Sequence, residues 1–174
     1  MRAIFLVGFM GSGKSKLAKQ LATKLNCTAI DTDEFIEKQE HCTIAELFEK
    51  HGEQHFRDLE RQLIQELDFL QRIVVATGGG LPCHSSLMEE MNRRGTTVFL
   101  KLNAKELHHR LKEPKRKMKR PLIANKSEEE LLDFITDKLE ERELFYNQAA
   151  HVFHPTKDDF SDLIQWLLLH ERNS

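Results

Sequence analysis

Cysteine is scarce in this chain. The three present, Cys27, Cys42 and Cys83, lie far apart and form no C-x-x-C pair, which speaks against a disulfide framework and reads as free thiols in a reducing compartment. No stretch approaches the ~20 apolar residues of a membrane-spanning helix. No charge of one sign dominates: the formal net charge is −2, so bulk electrostatics point to neither nucleic acid nor a membrane surface. Internal repeats and low-complexity linkers are missing too. The apolar start, Ala3 to Met10, looks like a signal-peptide core but runs straight into a glycine-rich loop that cleavage would destroy. Nine histidines do not make a metal site, because His108 and His109 are adjacent and face different directions, while His51 and His55 have no third ligand nearby. What remains is a soluble, cytoplasmic chain, expected to be a monomer with no nucleic-acid or membrane partner. Its 174 residues, 40% hydrophobic and 31% charged, suit one domain over 1–174 with a sizeable core.

The feature that carries most information is Gly8-Phe9-Met10-Gly11-Ser12-Gly13-Lys14-Ser15. It fits G-x-x-x-x-G-K-[ST] in the required context, after the apolar run Ala3–Val7 and before an amphipathic helix with Leu17, Leu21 and Leu25 on one side. Such a loop curls backbone N–H groups around phosphate oxygens and aims a helix N-terminus at them. Gly11, Ser12, Gly13, Lys14, Ser15 and Lys16 are therefore candidate ATP-binding residues. Lys14 reads as an exposed-loop cation that reaches the β/γ-phosphates, and the Ser15 hydroxyl as a ligand of Mg²⁺.

Strand-like runs at Ala3–Val7, Thr28–Ile30, Ile73–Ala76, Thr97–Leu102 and, more weakly, His151–Phe153 alternate with helical patterns at 16–25, 43–50, 53–70, 84–93, 104–111, 127–147 and 158–171. This alternation predicts an α/β fold, a parallel sheet with helices on both faces. One segment breaks the pattern. Lys112 to Pro121 holds six cations and two prolines and almost no core-forming residues, so it reads as a solvated excursion and a candidate lid over phosphates.

Asp31-Thr32-Asp33 follows the second strand, at the carboxyl edge where ligands bind in open α/β sheets. Asp31 and Asp33 point the same way in extended chain, so one can serve a Mg²⁺ shell while the other polarises an attacking hydroxyl. Alternatively, Thr32 or Asp33 caps a helix beginning near Glu34. Thr77-Gly78-Gly79-Gly80 ends the third strand and exposes N–H donors at close range to a ligand. Arg57, Arg120 and Arg142 are further candidates, although each alone is a plausible surface residue.

Taken in order, G-x-x-G-S-G-K-S, D-T-D, G-E-x-x-F-R-x-x-E, G-G-G, R-P-L and R-x-x-x-Y, at Gly8–Ser15, Asp31–Asp33, Gly52–Glu60, Gly78–Gly80, Arg120–Leu122 and Arg142–Tyr146, resemble the shikimate kinase family over essentially the whole chain. The resemblance implies ATP-dependent phosphorylation of the shikimate 3-hydroxyl in aromatic amino-acid biosynthesis. It also implies a three-layer P-loop fold with a five-stranded parallel sheet of order 2-3-1-4-5, a substrate-binding insert at about 33–61 and a lid at about 112–124. By matching residues, Lys14, Asp33 and Arg120 are catalytic, with Asp33 as base and Arg120 closing from the lid. Arg57 and Arg142 grip the substrate carboxylate, and the Gly79 and Gly80 backbone contacts the substrate. Ser15 and Asp31, the latter through water, serve Mg²⁺, and Arg110 stacks on adenine. Two arginines suit a carboxylate, since the guanidinium fork matches it.

Two features depart from the family pattern. In His154-Pro155-Thr156-Lys157-Asp158-Asp159 the proline of the adenine loop comes early, and the lid is unusually basic. A gluconate-type kinase would share the phosphate loop but has no need of the later motifs together. A regulatory module that had lost catalysis would have no reason to keep Asp33.

Overall fold

The computed structural model describes residues 3–67, 71–84, 86–118 and 120–172. The chain runs β1 (Ala3–Val7), α1 (Lys14–Leu25), β2 (Thr28–Asp31), α2 (Thr32–Glu40), α3 (Ile44–Glu66), β3 (Ile73–Ala76), α4 (Leu87–Arg94), β4 (Gly95–Leu100), α5 (Ala104–Leu111), α6 (Pro114–Lys117), α7 (Pro121–Ala124), α8 (Glu128–Tyr146), β5 (His151–Phe153) and α9 (Phe160–Arg172). The five strands form one sheet of order β2-β3-β1-β4-β5, parallel throughout, which is the topology the family resemblance implies. β1 lies at its centre, with Ile4 facing Val74 on one side and Thr96 on the other.

Strand periodicity of two sorts the core into layers. Ile4 and Leu6 face one side with Leu17, Leu21, Leu163 and Leu167 of α1 and α9. Phe5 and Val7 face the other with Ile64, Met88, Met91 and Tyr146 of α3, α4 and α8. A third cluster, including Leu107, Leu111, Ile123 and Leu131, packs α5, α7 and α8 together beneath the basic segment. A fourth, of Ile36, Leu47, Phe56 and Leu63, joins α2 to α3.

Several boundaries differ from the periodicity. α1 begins at Lys14 rather than 16, because Gly13 adopts a left-handed φ of 106° as its N-cap and so starts the helix inside the phosphate loop. α2, beginning at Thr32, is the helix that the capping alternative starts near Glu34, two residues earlier than expected. The runs at 43–50 and 53–70 belong to one helical stretch kinked at Gly52, whose φ of 80° interrupts it; residues 68–70 lie outside the described residues. β4 starts earlier, at Gly95. The basic segment is not extended loop throughout but carries the helical turns α6 and α7, each started by a proline at its first position, where a missing N–H costs nothing. Among the described residues, no helix is long and apolar enough to cross a membrane.

Gly95 marks the tightest approach in the sheet. A Cβ there would lie 2.1 Å from the Ala3 carbonyl oxygen, so β1 and β4 can only pair as they do around a glycine. Gly95→Ala should therefore destabilise the protein by about 1–3 kcal/mol, the usual range for overpacking. A lowered urea midpoint at unchanged slope is the expected reading, and an unchanged midpoint would show that the strands have room to spare.

Candidate active site

The five strands end at one edge, and the phosphate loop spans its centre between β1 and α1. Lys14 is not the exposed cation expected from the sequence: it is only 8% exposed. Its Nζ donates to the carbonyls of Gly8 at 2.7 Å and Phe9 at 2.9 Å, which leaves one of its three donors for a ligand. Burial pulls its pKa down to about 8, against the pull of Asp33 and Asp31. The lysine thus shapes the loop as well as charging it: a change to alanine would strip a donor from both carbonyls, and among the described residues only that of Phe9 keeps another, the Ser12 N–H at 3.2 Å. Ser12 is fully buried, and its hydroxyl has no partner among the described residues.

The helix-cap alternative for the D-T-D run resolves onto a residue the sequence did not suggest. Asp31, not Thr32 or Asp33, caps α2: its Oδ1 accepts from the backbone N–H of Asp33 at 3.1 Å and Glu34 at 3.3 Å. Its Oδ2 accepts from the Ser15 hydroxyl at 2.6 Å. Thr32 is buried, and its Oγ1 accepts from Gly78 N–H at 2.8 Å, tying the start of α2 to the glycine turn. Asp33 is left with a carboxylate that lines the central cavity. Burial, then the charge of Asp31, pushes its pKa up to about 6, with Lys14 opposing. A carboxylate raised this far stays ionised near neutrality and is a stronger base than an ordinary one, which suits it to taking a proton there.

Close approach, rather than left-handed backbone, explains the glycine run. A Cβ on Gly78 would lie 2.6 Å from Asp33 Oδ1 and 2.8 Å from Glu60 Oε1; one on Gly80 would lie 3.0 Å from both terminal nitrogens of Arg57; and one on Gly79 would lie 3.6 Å from Arg142 Nη1. Arg57 and Arg142, distant in sequence, therefore meet at adjacent glycines. The Gly78 carbonyl accepts from Leu81 N–H and the Gly80 carbonyl from Cys83 N–H. Among the described residues no acceptor takes the N–H of Gly79 or Gly80, so both remain available to a ligand.

Glu60 is a residue of this site to which sequence reasoning assigned no role. It is 1% exposed; its Oε2 accepts from Arg57 Nη1 at 2.6 Å, while its Oε1 has no partner among the described residues. Burial drives its pKa up to about 7 against the pull of Arg57. Glu53, on the exposed side, accepts from Arg57 Nη2 at 2.7 Å. The available signal was spacing: both glutamates lie within one helical turn of Arg57.

A cavity of about 1240 Å³ joins the phosphate loop from Gly11 to Lys16 with Asp31, Asp33, Gly79, Arg110, Arg120 and Pro155. Arg57, Gly80 and Arg142 sit beyond its Gly79 edge. Arg110 is drawn to the phosphate loop, where its Nη1 donates to the Ser12 carbonyl at 2.9 Å. The early proline of the segment after β5 still reaches the cavity, and Asp158 joins it there. Thr156 Oγ1 donates to Glu106 Oε1 at 2.8 Å, which fastens this segment to α5, the helix that carries Arg110.

Comparison with known proteins agrees with this geometry. The family model of shikimate kinase matches residues 10–168. A shikimate kinase of Phocaeicola vulgatus is 46% identical over 88% of this chain and 86% of its own. The crystal structure of shikimate kinase from Bacteroides thetaiotaomicron superimposes with a TM-score of 0.84 at 41% identity, covering 98% of this chain and 97% of that one. Shikimate kinase from Acinetobacter baumannii, solved in complex with shikimate, gives 0.82 at 31% identity, covering 100% and 95%.

The buried Glu60 makes a pH-dependent contribution to stability whose sign follows from its raised pKa. The folded protein holds this proton more tightly than the unfolded chain does, so the contribution is complete below about pH 4.5 and is lost as pH rises through about 7. Glu60→Gln should flatten the fall in stability across that window, read as urea midpoints at successive pH values. Parallel curves for wild type and variant would contradict the assignment.

Proposed function

The chain belongs to the shikimate kinase family, and we propose that it uses this site to move the γ-phosphoryl group of ATP onto the 3-hydroxyl of shikimate. It is a small-molecule kinase, and its phosphoryl acceptor is shikimate. The observation that carries the mechanism is the position of Asp33, a half-buried carboxylate that lines the same cavity as Lys14 and feels its charge.

The phosphates lie along Gly11–Lys16, held by loop N–H groups, the start of α1 and the remaining N–H of Lys14. Adenine lies between Arg110 and the Pro155 segment. Ser15 and Asp31 fit Mg²⁺: a hydroxyl and a carboxylate oxygen sit 2.6 Å apart, both hard donors of the kind Mg²⁺ takes, and these two would hold it, Asp31 by way of a water. When bound, Mg²⁺ neutralises charge on the phosphate oxygens.

Shikimate enters with its carboxylate between Arg57 and Arg142, against the N–H groups of Gly79 and Gly80, and its 3-hydroxyl at Asp33. Asp33 accepts the hydroxyl proton as the oxygen bonds to the γ-phosphorus and the bond to ADP breaks. Positioning and charge stabilisation do most of the work in such a transfer. Arg120, on a lid of residues 112–124, adds positive charge at the phosphates when the site closes. Such a reaction is a step of aromatic amino-acid biosynthesis, and a cytoplasmic setting suits the chain's free thiols.

The test of this reading is ADP release with ATP and Mg²⁺ against shikimate, gluconate, quinate and nucleoside monophosphates. Shikimate should support turnover far above the rest; a preference for any other acceptor would overturn it. In the same assay, Asp33→Asn should lower kcat by about 10²–10⁴-fold, the usual cost of losing a general base, with KM for ATP little changed. A kcat close to wild type would return Asp33 to a structural role.

A further inference from the structure

Tyr146 closes the R-x-x-x-Y motif, and the mechanism above leaves it unused. It is the chain's only tyrosine and is fully buried, packed against Phe99 with ring centroids 5.1 Å apart. Its hydroxyl donates to the Gly79 carbonyl oxygen at 2.5 Å. Burial holds the phenol well above its usual pKa range, so it remains a donor throughout neutral pH.

The Gly79 carbonyl belongs to the peptide unit whose nitrogen is that of Gly80, and the chain has no cis peptide among the described residues. In a trans peptide the C=O and N–H point in opposite directions. The carbonyl is drawn toward the Phe99–Tyr146 layer of the core, so the Gly80 N–H is turned away from it, to the open side of the turn. A Gly-Gly peptide has the least steric resistance to flipping of any in the chain. Neighbouring carbonyls are held locally, Gly78 by Leu81 N–H and Gly80 by Cys83 N–H, whereas Gly79 is held by a side chain from α8. Arg142 lies one helical turn before Tyr146 on the same face, with its Nη1 beside Gly79 and its guanidinium donating to the Tyr146 hydroxyl oxygen.

We infer that Tyr146 is a positioning residue for substrate binding: its bond to the Gly79 carbonyl keeps the Gly80 N–H aimed at the shikimate carboxylate, and α8 thereby sets that donor and the Arg142 guanidinium together. This rests on the shikimate reading of the site.

The test compares Tyr146→Phe, which keeps the ring and loses the hydroxyl, with Met91→Ala, which opens a cavity in the same core layer at a side chain with no polar group to offer the site. Tyr146→Phe should raise KM for shikimate about tenfold, as for a lost buried hydrogen bond, with KM for ATP little changed and the Gly80 amide ¹⁵N shift displaced. Met91→Ala should lower thermal stability and leave KM for shikimate unaltered. Wild-type KM in Tyr146→Phe, or an equal rise in Met91→Ala, would overturn the inference. If Tyr146→Phe does not fold, 3-fluorotyrosine incorporated at this single tyrosine changes the donor strength; KM for shikimate should shift without KM for ATP, and an unmoved KM would again overturn the inference. Shikimate-dependent ADP release by the wild type is measured first: its absence removes the functional reading, whereas its presence beside an unaffected variant removes this inference alone.

Discussion

Between the carboxylates of Asp33 and Glu60 there is no room for a methyl group. Gly78 sits in that gap, with both oxygens within 3 Å of where a Cβ would stand, and the rest of the site is arranged around this approach. It lets β3 turn sharply after Ala76. It brings α2 and α3 against the turn, through Thr32 and Glu60 respectively. It also sets the next two glycines against Arg142 and Arg57. A side chain at this position would push apart the proposed base, the helix that carries the first arginine and the backbone donors between them.

The charges around this turn are mutually dependent. A buried ammonium, the buried carboxylate of Glu60, the half-buried ones of Asp31 and Asp33 and two guanidiniums are each costly alone and tolerable together. Lys14 draws on Asp33 and Asp31, and Arg57 on Glu60 and Glu53. Asp31 divides its two oxygens between a helix cap and the Ser15 hydroxyl, which fixes its direction without using Asp33. Asp33 is thus left to the cavity. Burial keeps both it and Glu60 closer to neutrality than exposed carboxylates would be, so charge brought in by a substrate is met by cations that are not fully compensated.

Much of this was legible in the sequence because the chemistry needs particular residues in a particular order. The phosphate loop, the strand runs and the D-T-D and G-G-G segments announced themselves, and the family resemblance supplied the strand order found in the sheet. What periodicity missed depends on contacts between distant segments. α2 was read only as the capping alternative, with its start and cap misplaced, because Asp31 ends a strand and caps a helix at once, with no loop between. The burial of Lys14 depends on the curl of its own loop, and composition can suggest only that it is charged. Glu60 and Tyr146 were visible as motif letters. Their partners, the Gly78 turn and the Gly79 carbonyl, come from β3 and are brought there only by the packing of α3 and α8 on the sheet. The helical turns in the basic segment were hidden by its charge, although Ile123 anchors one of them in the core.

The central claim is that the glycine turn holds proton acceptor, backbone donors and arginines in register for one substrate. The most direct measurement is a crystal structure of the protein with ADP and shikimate bound. The account predicts the 3-hydroxyl within about 2.6–3.2 Å of an Asp33 oxygen, the reach a general base needs, and the carboxylate between Arg57 and Arg142 on the Gly80 N–H. A carboxylate bound elsewhere, or a 3-hydroxyl directed away from Asp33, would contradict it.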